Sequence, residues 1–221
     1  MNKKGILIVV SGFSGSGKGT LMKELLSRYP DTYALSISAT TRSPREGEEH
    51  GREYFFISKE EFEKMIAKEE LIEYARYVEN YYGTPREYVE QKLDEGKDVI
   101  LEIEIQGALK VKKAFPDTLL LFVTPPSAKE LKERLVGRGT ETMDVIRSRL
   151  DRACEEAKGM DSYDYLIVND DLETCVEEMH EIIRGEHHRS FRNEAFMKEI
   201  KEELERLKGE DETCCIHLIR I

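Results

Sequence analysis

A short apolar strand followed at once by a glycine-rich turn is the feature that most constrains the fold of this chain. The apolar run Ile6–Val10 predicts the strand, and residues 12–20 form the turn. A helix predicted over Lys18–Arg28 follows directly. Glycines in this context let backbone N–H groups turn inward around phosphate oxygens, and a helix N-terminus adds a partial positive charge. The segment therefore predicts a phosphate-binding loop for a nucleoside triphosphate.

The residues of this loop also predict how it binds. Lys18 is expected to reach the β- and γ-phosphates. The next position usually holds a Ser or Thr that binds Mg²⁺, but here it is Gly19, and Thr20 comes one residue later. We therefore expect Mg²⁺ to rest mainly on phosphates and water, with Thr20 as a weaker candidate ligand. The predicted nucleotide-binding residues of the loop are Gly12, Phe13, Ser14, Gly15, Ser16, Gly17, Lys18, Gly19 and Thr20.

Apolar runs further along the chain predict the rest of the sheet. Four of them read as strands, over Ala34–Ser38, Val99–Ile105, Leu119–Val123 and Tyr165–Val168. Most are apolar on both faces, which favours a parallel sheet that is covered by helices on each side. Alternating strands and helices therefore predict an α/β fold. We expect a three-layer P-loop NTPase architecture with a parallel, five-stranded central sheet.

Four capping signals predict where helices begin. Ser58 and Ser127 each open a capping-box pattern, and Asp171 is expected to cap a helix running towards Arg184. Thr84 followed by Pro85 reads as another start, with proline in the first helical position.

Composition excludes several classes of function. The chain has 221 residues, of which 34 are Lys or Arg and 45 are Asp or Glu, so its net charge is −11. Nucleic-acid backbones need a basic surface, which argues against a nucleic-acid partner. The apolar runs are too short to span a membrane. The four cysteines show no disulfide spacing, so we expect free thiols and a cytoplasmic location.

Arginines nevertheless cluster locally, as a site for a small anion requires. Arg42, Arg45 and Arg52 fall in one loop. A second stretch holds Arg134, Arg138, Arg147, Arg149 and Arg152. Within it, Arg147 and Arg152 fit a salt-bridged helical surface best.

One segment carries a clear family resemblance. It runs from Ser36 to Glu48, reading S-I-S-A-T-T-R-S-P-R-E-G-E, and continues through Gly51 to Tyr54. Further motifs follow in order: Glu73, residues 80–84, residues 105–107, residues 137–142 and residues 168–171. Together they resemble the guanylate kinase family over roughly residues 5 to 184. The resemblance implies ATP on the phosphate-binding loop, with Mg²⁺, and GMP as the second substrate.

The chemistry of guanine agrees with this resemblance. Guanine offers donors at N1 and N2 and an acceptor at O6; a carboxylate at Glu73 can accept from both donors, and hydroxyls at Ser38 and Thr84 can donate to O6. Thr84 could instead be only a helix cap. The resemblance assigns the GMP phosphate to Arg42, Arg45, Tyr54 and Tyr82, although Tyr54 could equally belong to the core.

The resemblance also implies roles for the carboxyl ends of two strands. We expect Glu102 and Glu104 on one face of the strand Val99–Ile105, with Glu104 on the GMP side, where the family commonly has aspartate. Glu102 is a second weak candidate for the Mg²⁺ water shell. Asn169, at the end of the last strand, is expected near the adenine of ATP, although it could equally belong to a helix-capping turn.

Residues 137–142 read as a hinged lid. By resemblance, Arg134, Arg138 and Arg149 bring positive charge to the transferring phosphoryl group, as electrostatic catalysis requires. The residues expected to act in catalysis are thus Lys18, Arg42, Arg138 and Arg149.

The implied organisation is a guanylate-kinase-like domain over residues 1–190. Its core comprises residues 1–35, 94–126 and 158–190, its GMP-binding insert residues 36–93 and its lid residues 127–157. The implied reaction transfers the γ-phosphoryl of ATP to GMP in purine nucleotide metabolism, with dGMP as a further acceptor to test. Two other classes remain open: an interaction domain that uses the monophosphate site to bind phosphorylated protein segments, and a kinase for another nucleoside monophosphate.

Residues 191–221 form a charged C-terminal helix and tail. Phe196, Ile200, Leu204 and Leu207 recur there at helical spacing. The stripe predicts either a helix packed on the same domain or a helix that meets a partner. Both a monomer and a homodimer fit the sequence.

Overall fold

The computed structural model describes the backbone of residues 4–77, 79–137 and 142–218, and the side chains of these residues up to 208. Its strands are β1 (Leu7–Gly12), β2 (Tyr33–Leu35), β3 (Ala39–Thr40), β4 (Phe55–Phe56), β5 (Leu71–Tyr77), β6 (Asn80–Pro85), β7 (Asp98–Glu102), β8 (Leu119–Thr124) and β9 (Tyr165–Val168). Its α-helices are α1 (Lys18–Arg28), α2 (Lys59–Ala67), α3 (Arg86–Asp94), α4 (Ile105–Ala114), α5 (Ala128–Gly137), α6 (Met143–Ala157), α7 (Leu172–Glu186) and α8 (Glu194–Leu218).

Five strands form the central sheet, in the order β2-β7-β1-β8-β9, and all neighbours in it are parallel. This confirms the expected α/β fold with a five-stranded parallel sheet. Strand β1 lies in the middle, between β7 and β8. Ligands of such sheets bind outside the carboxyl ends of the strands. The fold therefore presents the loop after β1 at the centre of that edge.

A second, smaller sheet has the order β4-β3-β6-β5 and mixes parallel and antiparallel pairs. All four of its strands come from the chain between β2 and β7, within the segment 36–93. Phe62 of α2, which is fully buried, packs with Ala39 and Leu71 in a small core of its own. The sequence pattern did not predict these strands, because β3 and β4 have only two residues each and β5 and β6 contain no continuous apolar run.

One core cluster joins strands of the central sheet to helices α3 and α4. Val9, Val99 and Leu120 of neighbouring strands are fully buried there, and Ile72 of β5 and Val89 of α3 join the same cluster. Burying each such side chain stabilises the fold by about 1.5–3 kcal/mol. The smaller sheet is thus tied to the central one through shared apolar packing.

Three of the predicted helix starts are confirmed. Ser58 Oγ accepts from the Glu61 N–H at 3.1 Å, and Glu61 accepts in return from the Ser58 N–H at 2.8 Å, a complete capping box. Ser127 Oγ accepts from the Glu130 N–H at 3.0 Å. Asp171 accepts from the Thr174 N–H at 2.9 Å.

Three expected boundaries are wrong. Strand β2 ends at Leu35, so Ser38 lies in the connection to β3, and β7 ends at Glu102, so Glu104 is the residue before α4. Thr84 is a residue of β6, and α3 begins at Arg86 with Pro85 as its N-cap. In each case the sequence pattern places the boundary of the element away from the residue at which backbone pairing between strands ends.

The described residues divide into two compact units, residues 1–179 and residues 180–221. The second contains the end of α7, a single 3₁₀ turn at Ser190–Asn193 and α8. None of the helices in the described ranges combines the length and apolarity that a bilayer span needs.

Candidate active site

The loop between β1 and α1 is a backbone cradle. Gly12, Gly15 and Gly17 all have positive φ, at 152°, 97° and 90°. Gly17 is the N-cap of α1, so the loop leads straight into the helix N-terminus. Because residues with side chains rarely adopt these conformations, the glycines allow the loop to wrap around a small anion. The strand, loop and helix predicted for residues 12–20 are therefore present in that order.

Two of these glycines also leave no room for a side chain, because atoms of neighbouring segments lie close to where a Cβ would stand. A Cβ at Gly12 would stand 2.1 Å from the Val123 carbonyl oxygen of β8. One at Gly17 would stand 2.3 Å from Asn169 Nδ2. Neighbouring segments of the chain thus pack closely against the outside of the loop.

Two cationic side chains lie directly on the loop. Lys18 Nζ donates to the carbonyl oxygens of Gly12 and Phe13, at 2.7 and 3.0 Å. Arg149, from α6, donates to Ser14 Oγ at 2.6 Å. The structure therefore brings these two predicted residues together at the rim of the cradle. The Ser16 hydroxyl, inside the loop, is buried without a hydrogen-bond partner among the described residues.

Two further predicted residues brace the loop from the β9 side. Asn169 is 7% exposed, and its Nδ2 donates to the Ser16 carbonyl oxygen at 2.8 Å. Arg134 donates to the Asn169 carbonyl oxygen at 2.9 Å and pairs with Glu130 at 2.8 Å. Asn169 therefore supports the shape of the phosphate loop, a contact that its expected place near adenine does not include. Arg138, the remaining lid arginine, lies outside the described residues.

A cleft of about 270 Å³ opens beside the cradle. Its lining residues are Gly12, Ser14, Lys18, Glu102, Ile103, Glu104, Ile105, Arg152 and Glu156. The carboxyl end of β7 forms one wall, and α6 supplies Arg152 and Glu156. Cationic and acidic groups thus face each other across a space next to the phosphate cradle.

Arg152 lines this cleft, although the sequence analysis assigned it to a salt-bridged helical surface and gave it no role in a site. Its guanidinium pairs with Glu156 one turn along α6, at 3.1 Å, which is the surface pairing that the sequence suggested. It also bonds to Glu104, across the cleft. The only sequence signal was its spacing, three residues after Arg149 on the same helix. Glu104 therefore lies just beyond the carboxyl end of β7, outside the strand in which it was predicted, and has an arginine partner.

A second cluster of predicted residues forms on the smaller sheet. Arg42 donates two bonds of 2.9 Å to the two carboxylate oxygens of Glu48. The guanidinium carbon lies 5.4 Å from the centre of the Tyr54 ring, and that ring packs edge-on against Tyr82 at 6.1 Å. Three of the four residues expected at the GMP phosphate are therefore adjacent. Both tyrosines are half-buried, so Tyr54 is not a residue of the closed core.

Arg45 and Ser38 lie beside this cluster. The backbone N–H of Arg45 donates to Glu48 at 2.7 Å, and its side chain is exposed. That bond, together with Arg42, holds the pKa of the Glu48 carboxyl below its usual value. Ser38 is half-buried, and its carbonyl accepts from the Phe55 N–H at 2.9 Å.

Glu73 and Thr84 meet across the antiparallel strands β5 and β6. The Thr84 hydroxyl donates to Glu73 Oε1 at 2.9 Å, and Thr84 is fully buried. Burial raises the pKa of the Glu73 carboxyl, while the Thr84 bond and the charge of Lys110 act against that rise. Glu73 Oε2 also lies 3.5 Å from where a Cβ of Gly107 would stand, so α4 closes over this carboxylate. Two of the three residues expected to read guanine are therefore paired, and Thr84 is not a helix cap.

The described side chains, up to residue 208 and outside the gaps, contain no group of three or more His, Cys, Asp or Glu that could hold a metal ion. Thr20 is exposed on α1 and does not line the cleft. Glu102 is exposed at the end of β7 and faces the same cleft as Lys18. Because Mg²⁺ keeps several waters and uses few carboxylates beside substrate phosphates, this single carboxylate fits such an ion.

Comparison with known proteins agrees with this geometry. A sequence model described as "Guanylate kinase" matches residues 4–186. A guanylate kinase of Bacillus anthracis is 55% identical over 203 residues, which cover 92% of this chain and 99% of that protein. A guanylate kinase of Bacillus subtilis (strain 168) is 53% identical over 187 residues, or 85% of this chain and 92% of that protein.

A solved structure gives the same result for the fold. The crystal structure of guanylate kinase from Anaplasma phagocytophilum superposes with a TM-score of 0.67 at 32% identity, covering 86% of this chain and 90% of that one. A phosphate cradle, a carboxylate–hydroxyl pair on a second sheet and these matches lead to one assignment: this chain belongs to the guanylate kinase family.

Proposed function

We propose that this chain transfers the γ-phosphoryl group of ATP to GMP, giving ADP and GDP in purine nucleotide metabolism. The observation that carries the proposal is the pairing of two different sites in one compact unit. One is the glycine cradle after β1, and the other is the Glu73–Thr84 pair beside an arginine–tyrosine cluster. The curated relatives carry the name of this activity.

The donor site is the cradle of residues 12–20. Its backbone N–H groups and the N-terminus of α1 would hold the β- and γ-phosphates of ATP. Lys18 and Arg149, already at the rim, would neutralise charge on the equatorial oxygens in the transition state. Arg134 and, by the family resemblance, Arg138 would add positive charge to the same group. Asn169 would keep the loop in shape, and its contact with adenine remains a prediction.

The acceptor phosphate would bind at Arg42, Arg45, Tyr54 and Tyr82. Arg42 already binds the carboxylate of Glu48 with two parallel bonds. This fork geometry suits phosphate as well as carboxylate. We propose that the GMP phosphate displaces the Glu48 carboxylate from Arg42 when GMP binds.

Guanine would be read by Glu73, Ser38 and Thr84. The Glu73 carboxylate would accept from N1–H and N2–H, and the hydroxyls would donate to O6. Adenine has a donor where guanine has O6, so it would leave buried groups unpaired. This argument favours a GMP kinase over a kinase for another nucleoside monophosphate. dGMP keeps the same base edge and is a further acceptor to test.

Mg²⁺ is proposed as the cofactor, bound with ATP. When present, it would neutralise phosphate charge and align the phosphoryl group. Among the protein groups, Glu102 would hold its water shell, since that carboxylate faces the cleft beside Lys18. Thr20 is a weaker candidate because it does not line that cleft.

The mechanism needs no protein nucleophile. An oxygen of the GMP phosphate attacks the γ-phosphorus in line while the bond to the ADP oxygen breaks. Closure of the lid, residues 127–157, would exclude water from the transfer. We also propose a cytoplasmic location, which the free thiols of Cys154 and Cys175 suit.

A coupled assay of ADP release with GMP, AMP, UMP and dTMP in parallel tests the proposal. We expect turnover with GMP at least about 100-fold above the others, since the reading of base donors and acceptors supplies discrimination of this order. Equal rates with another monophosphate would reject the guanine assignment. Binding of GMP without any ADP release would favour an interaction domain.

A further inference from the structure

Glu104 lines the cleft beside the phosphate cradle without support from the helix that follows it. It is the residue before α4, and its side chain makes no capping hydrogen bond to that helix. The side chain is 68% exposed. A long, exposed side chain loses considerable conformational entropy when it is fixed in one place. A defined position for this carboxylate therefore requires a partner on another element.

Arg152 of α6 is that partner. Its guanidinium donates to Glu104 Oε1 across the cleft. The Nε–H of the same group donates to Glu156 Oε1 at 3.1 Å. A planar guanidinium has enough donors, in a rigid arrangement, to bind two carboxylates at once. Arg152 therefore links α6 to the segment between β7 and α4.

Glu156 gives this link a fixed end. Its side chain is 19% exposed, and its Oε2 atom is buried without a hydrogen-bond partner among the described residues. Burial raises the pKa of Tyr163 to about 12, and the nearby charge of Glu156 adds to that rise. The Tyr163 ring in turn packs edge-on against Phe122 of the core, at 5.1 Å. A partly buried carboxylate thus holds the guanidinium from one side, while Glu104 binds it from the other.

The other residues of the cleft place this link next to the proposed phosphoryl transfer. Lys18 and Ser14 line the same cleft as Glu104. One turn before Arg152 on α6, Arg149 donates to Ser14 Oγ of the phosphate loop at 2.6 Å. Helix α6 therefore contacts the donor loop through one arginine and the residue expected on the GMP side through the other.

We propose that Arg152 is a positioning residue that holds the Glu104 carboxylate in place for the acceptor nucleotide. This inference rests on the proposed function, in which Glu104 lies on the GMP side. An ionised carboxylate only accepts hydrogen bonds, so its targets would be N–H or O–H groups of the nucleoside. Glu104 is one methylene longer than the aspartate that is common in the family at this position, and the bond to Arg152 restricts the freedom that this methylene adds.

Kinetics of two variants and of their combination test the inference. Arg152→Gln should raise the KM for GMP by about 3- to 10-fold, as expected when a half-exposed ion pair orients a ligand-binding group. The KM for ATP should stay within about twofold. Glu104→Gln should raise the KM for GMP at least as much. Because Arg152 acts through Glu104, adding Arg152→Gln to Glu104→Gln should change that KM no further.

Arg147→Gln is the matched control. Arg147 lies on the same helix, and its side chain is 76% exposed, with Asp144 as an ion-pair partner at 3.9 Å. Such a surface pair contributes little, so the KM values for GMP and ATP should both stay within about twofold of those of the parent chain.

Three results would contradict the inference. A rise in the KM for GMP that persists in full when Arg152→Gln is added to Glu104→Gln would show that Arg152 does not act through Glu104. An equal rise in the KM for ATP would indicate a general disturbance of α6. Unchanged GMP kinetics of Arg152→Gln, in a parent chain that phosphorylates GMP, would overturn this inference alone. A parent chain without GMP turnover would reject the proposed function, and this inference with it.

Discussion

The two proposed substrate sites of this chain differ in what forms them. The donor cradle is backbone, with glycines in left-handed conformations and neighbouring strands pressed against it. The acceptor site is made of side chains, and these are already paired with one another: Arg42 with Glu48, and Thr84 with Glu73. The proposal therefore has the cradle receive an anion in its present shape, whereas the side chains of the acceptor site exchange partners when GMP binds.

This difference indicates where each site places its specificity. A triphosphate is recognised by many N–H groups that cannot tell one base from another. A base is recognised by a few donors and acceptors, and each unpaired one carries a large penalty in a buried place. We therefore expect substitutions at the donor site to lower kcat, and substitutions at the acceptor site to lower the selectivity for GMP.

The largest effect is expected at the donor site, for Lys18→Ala. Removing a charge that acts on the transition state should lower kcat by about 100- to 1000-fold. Because the acceptor cluster is untouched, GMP binding measured by calorimetry should change little. Lys23→Ala, an exposed lysine on the same helix, is the control. A variant at Lys18 that kept most of its kcat would refute the role of the loop.

The next largest effect is expected at the acceptor site, for Glu73→Gln. The substitution places an amide donor opposite guanine N–H groups, so kcat/KM for GMP should fall by about 10- to 1000-fold. The KM for ATP should hardly move. Glu70→Gln, at an exposed position nearby, should change GMP kinetics no more than about twofold. Similar kinetics for both variants would remove Glu73 from base recognition.

A smaller effect is expected where the cradle is braced, for Asn169→Ala. It removes the amide that donates to the Ser16 carbonyl, a buried bond whose loss costs about 1–3 kcal/mol. The free energy of unfolding from urea titration should fall by that amount. Loosening of the loop should appear as a higher KM for ATP and not for GMP. An unchanged urea midpoint would show that the cradle is held by the strands alone.

The smallest effect is a pH dependence of the acceptor site. Burial raises the pKa of Glu73, and its proposed contact with guanine requires the ionised carboxylate. We therefore expect kcat/KM for GMP to fall as pH is lowered through that raised pKa, and this limb should be absent in Glu73→Gln.

The same shift has a consequence for stability. A folded pKa above the unfolded value means that the folded state binds the proton more tightly. The resulting stabilisation is present below the unfolded pKa and is lost as pH rises through the folded pKa. Glu73→Gln removes the buried charge, so its Tm at neutral pH should equal or exceed that of the parent chain. A lower Tm, measured by calorimetry, would mean that the carboxylate stabilises the fold.

The cradle and the central sheet were predictable because their signals are local. A buried strand, glycines and a lysine stand next to each other in the sequence, and the helix that follows needs no other information. The Ser58–Glu61 box is local in the same way. Such signals predict structure because the interacting groups are within one turn of each other.

The acceptor side was less predictable because its contacts join distant residues. By sequence Thr84 fits a helix cap, but in the structure its hydroxyl bonds to Glu73 across the antiparallel strands β5 and β6. Glu104 continues an alternating pattern, although pairing of β7 has already stopped at Glu102. Arg152 and Glu156 are four residues apart on α6, a spacing typical of a surface ion pair. The sequence therefore gives no sign that Arg152 also bonds to Glu104. The roles expected of Thr84 and Glu104 came from the family resemblance and not from periodicity, and the resemblance gave Arg152 no role.

The topology of the two sheets also predicts an order of folding. In the smaller sheet Tyr77 pairs with Asn80, so its hairpin closes through a very short loop. In the central sheet Leu7 pairs with Val99, and Ile8 pairs with Leu119, so most of the domain must be synthesised or ordered before these strands can meet. Closing long loops is slow. We therefore expect amide protons of β5 and β6 to gain protection early in refolding, well before those of β1.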